Sequence, residues 1–337
     1  MKTSVIDLGL QPSNLELTQA LAIAFSQVEP SLVIINTTGS SGVNKKVELS
    51  TEAISKSAEL ANAAVGAKPG DIWSLLLPTN HIAGLNVLAR AIKLGTEVVG
   101  VEARADFTAI VPTQLYRALT GDHKLLEHLQ NCKAVLVGGA AVEDSLLEAA
   151  NSKGITLFTT YGMTETSGGC VYNNVALPGV LVELTDSGLI KIKGPTLASG
   201  YQDQEALWLK NFLDGWFITR DLGEIKDGKI FVVGRADDVI ISGGENISLA
   251  AIESELARNF PEVNFLATSV PDKEWGQKLC LLSDINIDQV KISSVLQNKF
   301  GRASVPKEFL VVKEIPLIGI GKPDRVKASA LIINAQR

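Results

Sequence analysis

The chain has 337 residues, 46% of them hydrophobic and 20% charged, with a net charge of −6. That length suggests about two domains, and so apolar a composition excludes a natively disordered chain. The negative balance, with no basic run longer than Lys45-Lys46, gives a nucleic-acid partner no electrostatic support.

The first seven residues lack the apolar segment of a signal peptide, and no apolar run is long enough to span a bilayer. Cys132, Cys170 and Cys280 are widely spaced, without a CxxC or zinc pattern. They read as reduced thiols of a cytoplasmic protein.

In chain order, residues 15–25 carry apolar side chains at helical spacing, and Pro30 ends the run. Leu32-Val33-Ile34-Ile35 predicts a buried strand, which feeds directly into Thr37-Thr38-Gly39-Ser40-Ser41-Gly42-Val43-Asn44-Lys45. Gly39 and Gly42 let the backbone turn and expose N–H groups, while Thr37, Thr38, Ser40, Ser41 and Lys45 share the same small volume. This is a phosphate-binding composition, without the glycine and lysine spacing of a Walker A loop. The alternative is a solvated linker, although linkers seldom follow a buried strand so abruptly. Ser50 is placed to cap a helix reaching about Val65.

Residues 71–78 read as a strand and a break, followed by a helix that starts near His81 and Gly84 and passes Arg90. A lone histidine at such a junction is more often a structural hydrogen bonder than a catalyst. The chain offers His81 neither a GxSxG serine nor a His/Cys metal set. Further strands are expected at 98–101, 109–112 and 134–140. The last ends in Gly138-Gly139, a pair that admits a flat ring. The βα alternation predicts an α/β layered architecture with converging strand-end loops.

The run Tyr161-Gly162-Met163-Thr164-Glu165-Thr166-Ser167-Gly168-Gly169 follows the apolar residues Ile155, Leu157 and Phe158, and reads as a loop at a strand end. Glu165 can hold a hard cation through oxygen, and Thr164 can donate to a phosphate oxygen. A helix-capping turn is the plainer reading.

After Val180 the pattern becomes β-rich, with strands at 189–193 and 225–233 and turns at Asp186-Ser187-Gly188 and Asp227-Gly228. Asp221 ends a strand, where it can bridge two ribose hydroxyls or serve as a turn residue. Residues 234–246 mix charge, β-branched side chains and Gly243-Gly244, and read as a domain joint. Ser248 begins an amphipathic helix to Asn259, and residues 260–337 form a small α+β unit. Taken alone, Lys322 in the loop 315–325 is a solvated surface charge.

Together and in this order, these stretches resemble the adenylate-forming superfamily of acyl-CoA and aryl-CoA synthetases, adenylation domains and luciferases. Residues 37–45 resemble the phosphate loop TSGTTGxPK, with Asn44 in place of proline. His81 fits PxxHxxG, and residues 161–165 fit YGxTE. Gly194-Pro195 with Gly200-Tyr201 fits GPxxxxGY. Asp221 fits TGD with Arg220 replacing glycine, residues 234–244 fit GRxDDxIxxxG, and Gly321-Lys322 fits the terminal GK. Leu249 and Ala251 stand where proline and glutamate are common. Family members usually carry a further N-terminal subdomain, and a chain without it would expose apolar surface that a homodimer could cover. One branch, the o-succinylbenzoate–CoA ligases of menaquinone biosynthesis, shares PxxHIxGLxxLxR, VPTQL and IPLxGxGKPDR.

The resemblance implies an ATP- and acid-binding core over 1–236, shortened relative to the family, and a small mobile domain over 237–337 with its hinge at Asp237. It implies ATP with Mg²⁺, a carboxylate substrate and CoA, no nucleic acid and no membrane span. Thr37, Thr38, Gly39, Ser40, Ser41, Gly42 and Lys45 would hold phosphates, and Thr164 the α-phosphate. Glu165 would hold Mg²⁺. Gly138, Gly139, Tyr161 and Gly162 would frame adenine, and Asp221 and Arg235 the ribose. Lys322 would bridge carboxylate and α-phosphate, while Gly243-Gly244 line a pantetheine tunnel. His81 and Gly84 would line the acid pocket, with His81 as its gate. Arg90 would take a second carboxylate, or else be an exposed helix residue. The rival readings are a CoA ligase for another acid and a non-catalytic adenylate-binding module.

Overall fold

The computed structural model describes residues 5–27, 31–38, 44–318 and 322–335, with side chains at all of these except 38, 237, 318 and 322. Gly39, Ser40, Ser41, Gly42 and Gly321 lie outside the described residues. The chain is α/β and forms two compact units, one of residues 1–219 and 224–231, the other of 220–223 and 232–337.

In the larger unit, a six-stranded sheet runs in the order Trp73–Ser74, Phe107–Ile110, Ala134–Gly138, Leu157–Met163, Gly168–Tyr172 and Val175–Ala176. The first four strands are parallel and the last two antiparallel. Buried Ile110, Val135 and Val137 join Leu115, Leu125, Leu129 and Ile155 in one core cluster. A second cluster joins helices Asn14–Ser26, Thr51–Ala64 and Ile82–Leu94 to Val33, Ile35, Val47 and Leu49 of the four-stranded sheet. In that sheet, Leu32–Thr38 and Asn44–Ser50 form an antiparallel pair, with Thr37 opposite Lys45.

Local chemistry explains many boundaries. Ser50 accepts the Ala53 N–H and caps Thr51–Ala64; such a cap is worth about 1 kcal/mol. The strand expected at 109–112 runs instead from Phe107 to Ile110, and Pro112 opens the helix Pro112–Thr120. Proline suits a first helical position because it has no N–H there to lose. The expected strand at 98–101 reduces to one bridge between Val99 and Ser74.

In the smaller unit, a sheet runs in the order Glu245–Ser248, Val239–Ser242, Gly276–Ser283 and Phe265–Asp272, with Glu308–Val311 parallel to Gly276–Ser283. Its two faces are both apolar. Ala267, Leu279 and Leu281 pack with Ile252, Leu256, Ile292 and Leu296. The alternating Leu266, Cys280 and Leu282 pack with Ala328 and Ile332. This period-two pattern places helices Leu249–Asn259 and Gln289–Phe300 on one face and Arg325–Ala335 on the other.

Candidate functional site

The run from Tyr161 is a hairpin tip rather than an open loop. The strand Leu157–Met163 continues through Tyr161, Gly162 and Met163, a 3₁₀ turn covers Thr164–Thr166, and Gly168–Tyr172 returns antiparallel. Two features force this turn. Ser167 adopts φ 50° and Gly168 φ 90°. At Gly162 an added Cβ would lie 2.1 Å from the Gly168 carbonyl oxygen, so only glycine lets the two strands approach. The Thr166 hydroxyl accepts the Met163 N–H at 2.9 Å and lies 2.7 Å from the Gly168 carbonyl. From the flanking helices, Ser57 and Asn86 both donate to the Ser167 carbonyl, at 2.8 and 2.7 Å.

This framework buries Glu165 and gives it a partner. The strand Gly200–Tyr201 pairs with Asn44–Ser50, placing Tyr201 opposite Val47. The Tyr201 hydroxyl donates to Glu165 Oε1 at 2.7 Å. Lys45 Nζ lies 3.4 Å from the same hydroxyl and 4.9 Å from the ring centroid. Two predicted residues, Lys45 and Glu165, are thus joined by a tyrosine that sequence reasoning placed only in a turn motif. Among the described residues, no three His, Cys, Asp or Glu side chains gather to hold a metal. The site offers one buried carboxylate beside a lysine. That fits Mg²⁺, which keeps several waters and is held through one or two carboxylates plus substrate phosphates. Nearby, burial pushes the Cys170 thiol up to about 12, so it stays protonated.

Thr37 is half-buried opposite Lys45, and Thr164 opens the 3₁₀ turn. At Gly138 a Cβ would meet Thr160 Oγ1 at 2.2 Å, while Gly139 is exposed at φ 87°. Tyr161 is half-buried. His81 is the N-cap of helix Ile82–Leu94 without making a side-chain cap bond. Gly84 is buried with Pro78 O only 2.2 Å from where a Cβ would stand, so helix packing alone explains the glycine. A cavity of about 410 Å³ lies between Leu8–Leu17 and Leu75–Asn80, and none of the predicted site residues lines it.

Arg90 is not an exposed helix residue; it is 4% exposed. Its guanidinium carbon sits 4.9 Å from the Trp73 ring, and Nη2 reaches the Tyr172 hydroxyl at 3.4 Å. Burial pushes the Tyr172 phenol up, so it stays neutral. Nε and Nη1 of Arg90 are buried with no hydrogen-bond partner among the described residues. The neighbouring Asn86 Oδ1 and Ser167 Oγ are in the same condition. Asn86 lies one helical turn before Arg90, so this polar strip runs from the Glu165 turn into the larger unit's interior.

In the smaller unit, Asp221 is buried and paired with Arg235 at 2.8 Å. Gly243 and Gly244 form the two-residue turn between Val239–Ser242 and Glu245–Ser248, at φ 59° and 84°, as a tight hairpin requires. Asp237 lies in the 3₁₀ turn Ala236–Asp238. Lys322 pairs through its backbone with Ile318.

Lys45, Tyr201 and the buried Glu165 at the hairpin tip are brought together within the α/β larger unit, an arrangement suited to a nucleotide phosphate and its cation. The chain belongs to the AMP-binding enzyme family, whose model matches residues 21–201. It is 34% identical to a probable 2-succinylbenzoate–CoA ligase of Mycobacterium tuberculosis over 325 residues, covering 87% of this chain and 82% of that one. With the 2-succinylbenzoate–CoA ligase of Lactococcus lactis it shares 29% identity over 87% of this chain and 70% of that protein. Its fold matches the o-succinylbenzoate–CoA synthetase of Bacillus subtilis in complex with the acyl-adenylate intermediate. The TM-score there is 0.76 and the identity 26%, over 88% of this chain and 68% of that one.

Proposed function

We propose that the chain is an ATP-dependent acid–thiol ligase that adenylates o-succinylbenzoate and passes the acyl group to CoA, in menaquinone biosynthesis. The observation that carries the substrate reading is Arg90, a buried guanidinium with two nitrogens unpartnered among the described residues. Buried charges are costly unless paired, and a guanidinium fork matches a carboxylate. The acid has two carboxylates, one to react and one to pair. The relatives named above support the same acid.

In the first step, a carboxylate oxygen attacks the α-phosphorus of ATP, and the bond from that phosphorus to the bridging oxygen breaks, releasing pyrophosphate. In the second, the CoA thiol loses its proton and attacks the acyl carbon; the C–O bond to AMP breaks. Two unit charges about 4 Å apart repel by roughly 4 kcal/mol at an effective dielectric near 20, so the site must supply cations and fixed donors. Lys45, Thr37, Thr38, Ser40 and Ser41 take this role on the β- and γ-phosphates, with the backbone of Gly39 and Gly42, and Thr164 takes it on the α-phosphate. Glu165, steadied by Tyr201, would hold Mg²⁺, which would offset phosphate charge. Gly138, Gly139, Tyr161 and Gly162 frame adenine. Asp221 and Arg235, already paired at 2.8 Å, take the ribose. Lys322 neutralises the charge between carboxylate and α-phosphate. Rotation about Asp237 of a domain spanning 237–337 exchanges Lys322 for Gly243-Gly244, which line the pantetheine path. His81 gates the acid pocket beside Gly84.

ATP and CoA as substrates point to the cytoplasm, and among the described residues no helix is long and apolar enough to cross a membrane. A homodimer remains part of the proposal. The test is chromatographic detection of o-succinylbenzoyl-CoA from ATP, acid and CoA, with one AMP released per thioester. Thioester from another acid alone would retain the reaction and discard the substrate. AMP release without thioester would discard the ligase.

A further inference from the structure

Arg325 opens the helix Arg325–Ala335, three residues after Lys322, and all five of its N–H donors are in use. Nε donates to Asp238 Oδ1 at 2.9 Å, and Nη2 reaches Asp238 Oδ2 at 3.4 Å. Nη1 and Nη2 hold Glu253 as a fork, at 2.5 and 3.1 Å. Nη1 also donates to the Ala267 carbonyl at 2.6 Å. Three separate pieces of the smaller unit meet here: the 3₁₀ turn Ala236–Asp238, the helix Leu249–Asn259 and the strand Phe265–Asp272. Glu253 is tied down independently, since its Oε1 also accepts the Ala267 N–H at 2.7 Å. Burial pushes the Glu253 carboxyl up, and Arg325 opposes that shift.

The residue before it closes the base of the Lys322 hairpin. The strands Leu317–Ile318 and Lys322–Pro323 pair antiparallel, and the next residue, Asp324, donates its N–H to the Pro316 carbonyl at 2.9 Å. The Arg325 carbonyl then accepts from Thr268 Oγ1 at 3.1 Å. The guanidinium therefore holds the chain two residues past the paired strands to Asp238, the neighbour of Asp237.

We infer that Arg325 is a positioning residue: its fork to Asp238 and Glu253 couples the hinge turn to the hairpin that carries Lys322, so that Lys322 arrives at the reacting atoms in register. The inference rests on the ligase reading for its chemistry and on the hydrogen-bond geometry for its structure. A fork that served packing alone would need neither the hinge turn nor a place at the foot of this hairpin. Lysine cannot replace it, because three donors on one nitrogen cannot span two carboxylates and a carbonyl.

The test compares the full chain with Arg325→Lys, Asp238→Asn, Lys322→Ala and the Arg325→Lys/Lys322→Ala double variant. Amide hydrogen exchange is followed in the peptide covering 312–324 and in those covering 265–283. ATP–pyrophosphate exchange is measured with o-succinylbenzoate. A displacement of about 1 Å at a reacting group costs on the order of 100-fold. Arg325→Lys should therefore lower kcat by roughly 10- to 100-fold, with KM for ATP within about twofold. Hairpin amides should exchange about tenfold faster while the sheet amides keep their protection. The double variant should be no slower than Lys322→Ala alone, because both changes remove one function. Unchanged hairpin exchange would overturn the inference, as would protection lost across the whole unit or losses that add in the double variant. Should Arg325→Lys fail to fold, Asp238→Asn cuts the hinge side of the fork and keeps Glu253. Should the unaltered chain show no pyrophosphate exchange with any acid, the ligase reading fails, and the hairpin amides still decide the coupling.

Discussion

Replacing Tyr201 with phenylalanine removes one oxygen and keeps the ring. The edge-on contact with Trp208 at 5.2 Å survives, as does the position of Lys45 Nζ over the ring. What goes is the 2.7 Å bond to Glu165 Oε1 and the longer 3.4 Å contact from Lys45. A hydrogen bond to a charged group is worth about 1.5–3 kcal/mol, and a contact as long as the one from Lys45 adds little. At about 1.4 kcal/mol per factor of ten, the loss corresponds to roughly 10- to 150-fold. We expect kcat for ATP–pyrophosphate exchange to fall by that amount, with half-maximal activity needing more Mg²⁺. KM for the acid should stay within about twofold, because Tyr201 is assigned no contact with it. The assay is exchange at varied Mg²⁺ and at varied acid. A Tyr201→Phe enzyme with unchanged rate and unchanged Mg²⁺ dependence would refute the role given to the Lys45–Tyr201–Glu165 chain.

Three further outcomes follow from the same geometry. Arg90→Ala should raise KM for o-succinylbenzoate by about 10-fold or more and leave KM for ATP unchanged. In urea titration without substrate it should cost little beyond its contact with Trp73, since the guanidinium it removes is largely unpaired; a large destabilisation would show that Arg90 is a structural residue. Lys322→Ala should lower pyrophosphate exchange by roughly 100- to 1,000-fold while thioester formation from supplied acyl-adenylate continues, and equal loss of both steps would contradict separate roles. Burial holds the His128 imidazole below its ordinary value of 6.5, and its Nε2 lies 2.7 Å from Ser74 Oγ. A depressed folded value means that the unfolded chain takes up the proton first as pH falls. The contribution is therefore present above 6.5 and lost as pH drops through the folded value. Urea midpoints should decline from about pH 7.5 to pH 5, and His128→Gln should flatten that decline; parallel curves would reject it.

Legibility in the sequence followed the range of the interactions concerned. Ser50 and Ser248 cap their helices as expected, because a cap needs only the three residues that follow it. The Asp227-Gly228 turn was equally readable, both residues adopting positive φ between two strands. Family membership was readable because several short motifs stood in the right order. Pro112 misled, since a β-like approach and a proline fit a strand end and a helix start alike. The Tyr201–Glu165 bond joins positions 36 residues apart, and only the pairing of Gly200–Tyr201 with Asn44–Ser50 brings them together. Arg90 carries no local sign of burial; Asn62, Trp73 and Tyr172 enclose it from three other elements. Arg325 was visible as part of a motif, while its partners Asp238 and Glu253, 87 and 72 residues away, were not.

The most direct measurement is ATP–pyrophosphate exchange by the purified chain with o-succinylbenzoate, benzoate, a fatty acid or no acid. We predict exchange stimulated by o-succinylbenzoate above the others and sharply reduced in Lys322→Ala. Measurable ATP binding with no exchange for any acid would contradict it.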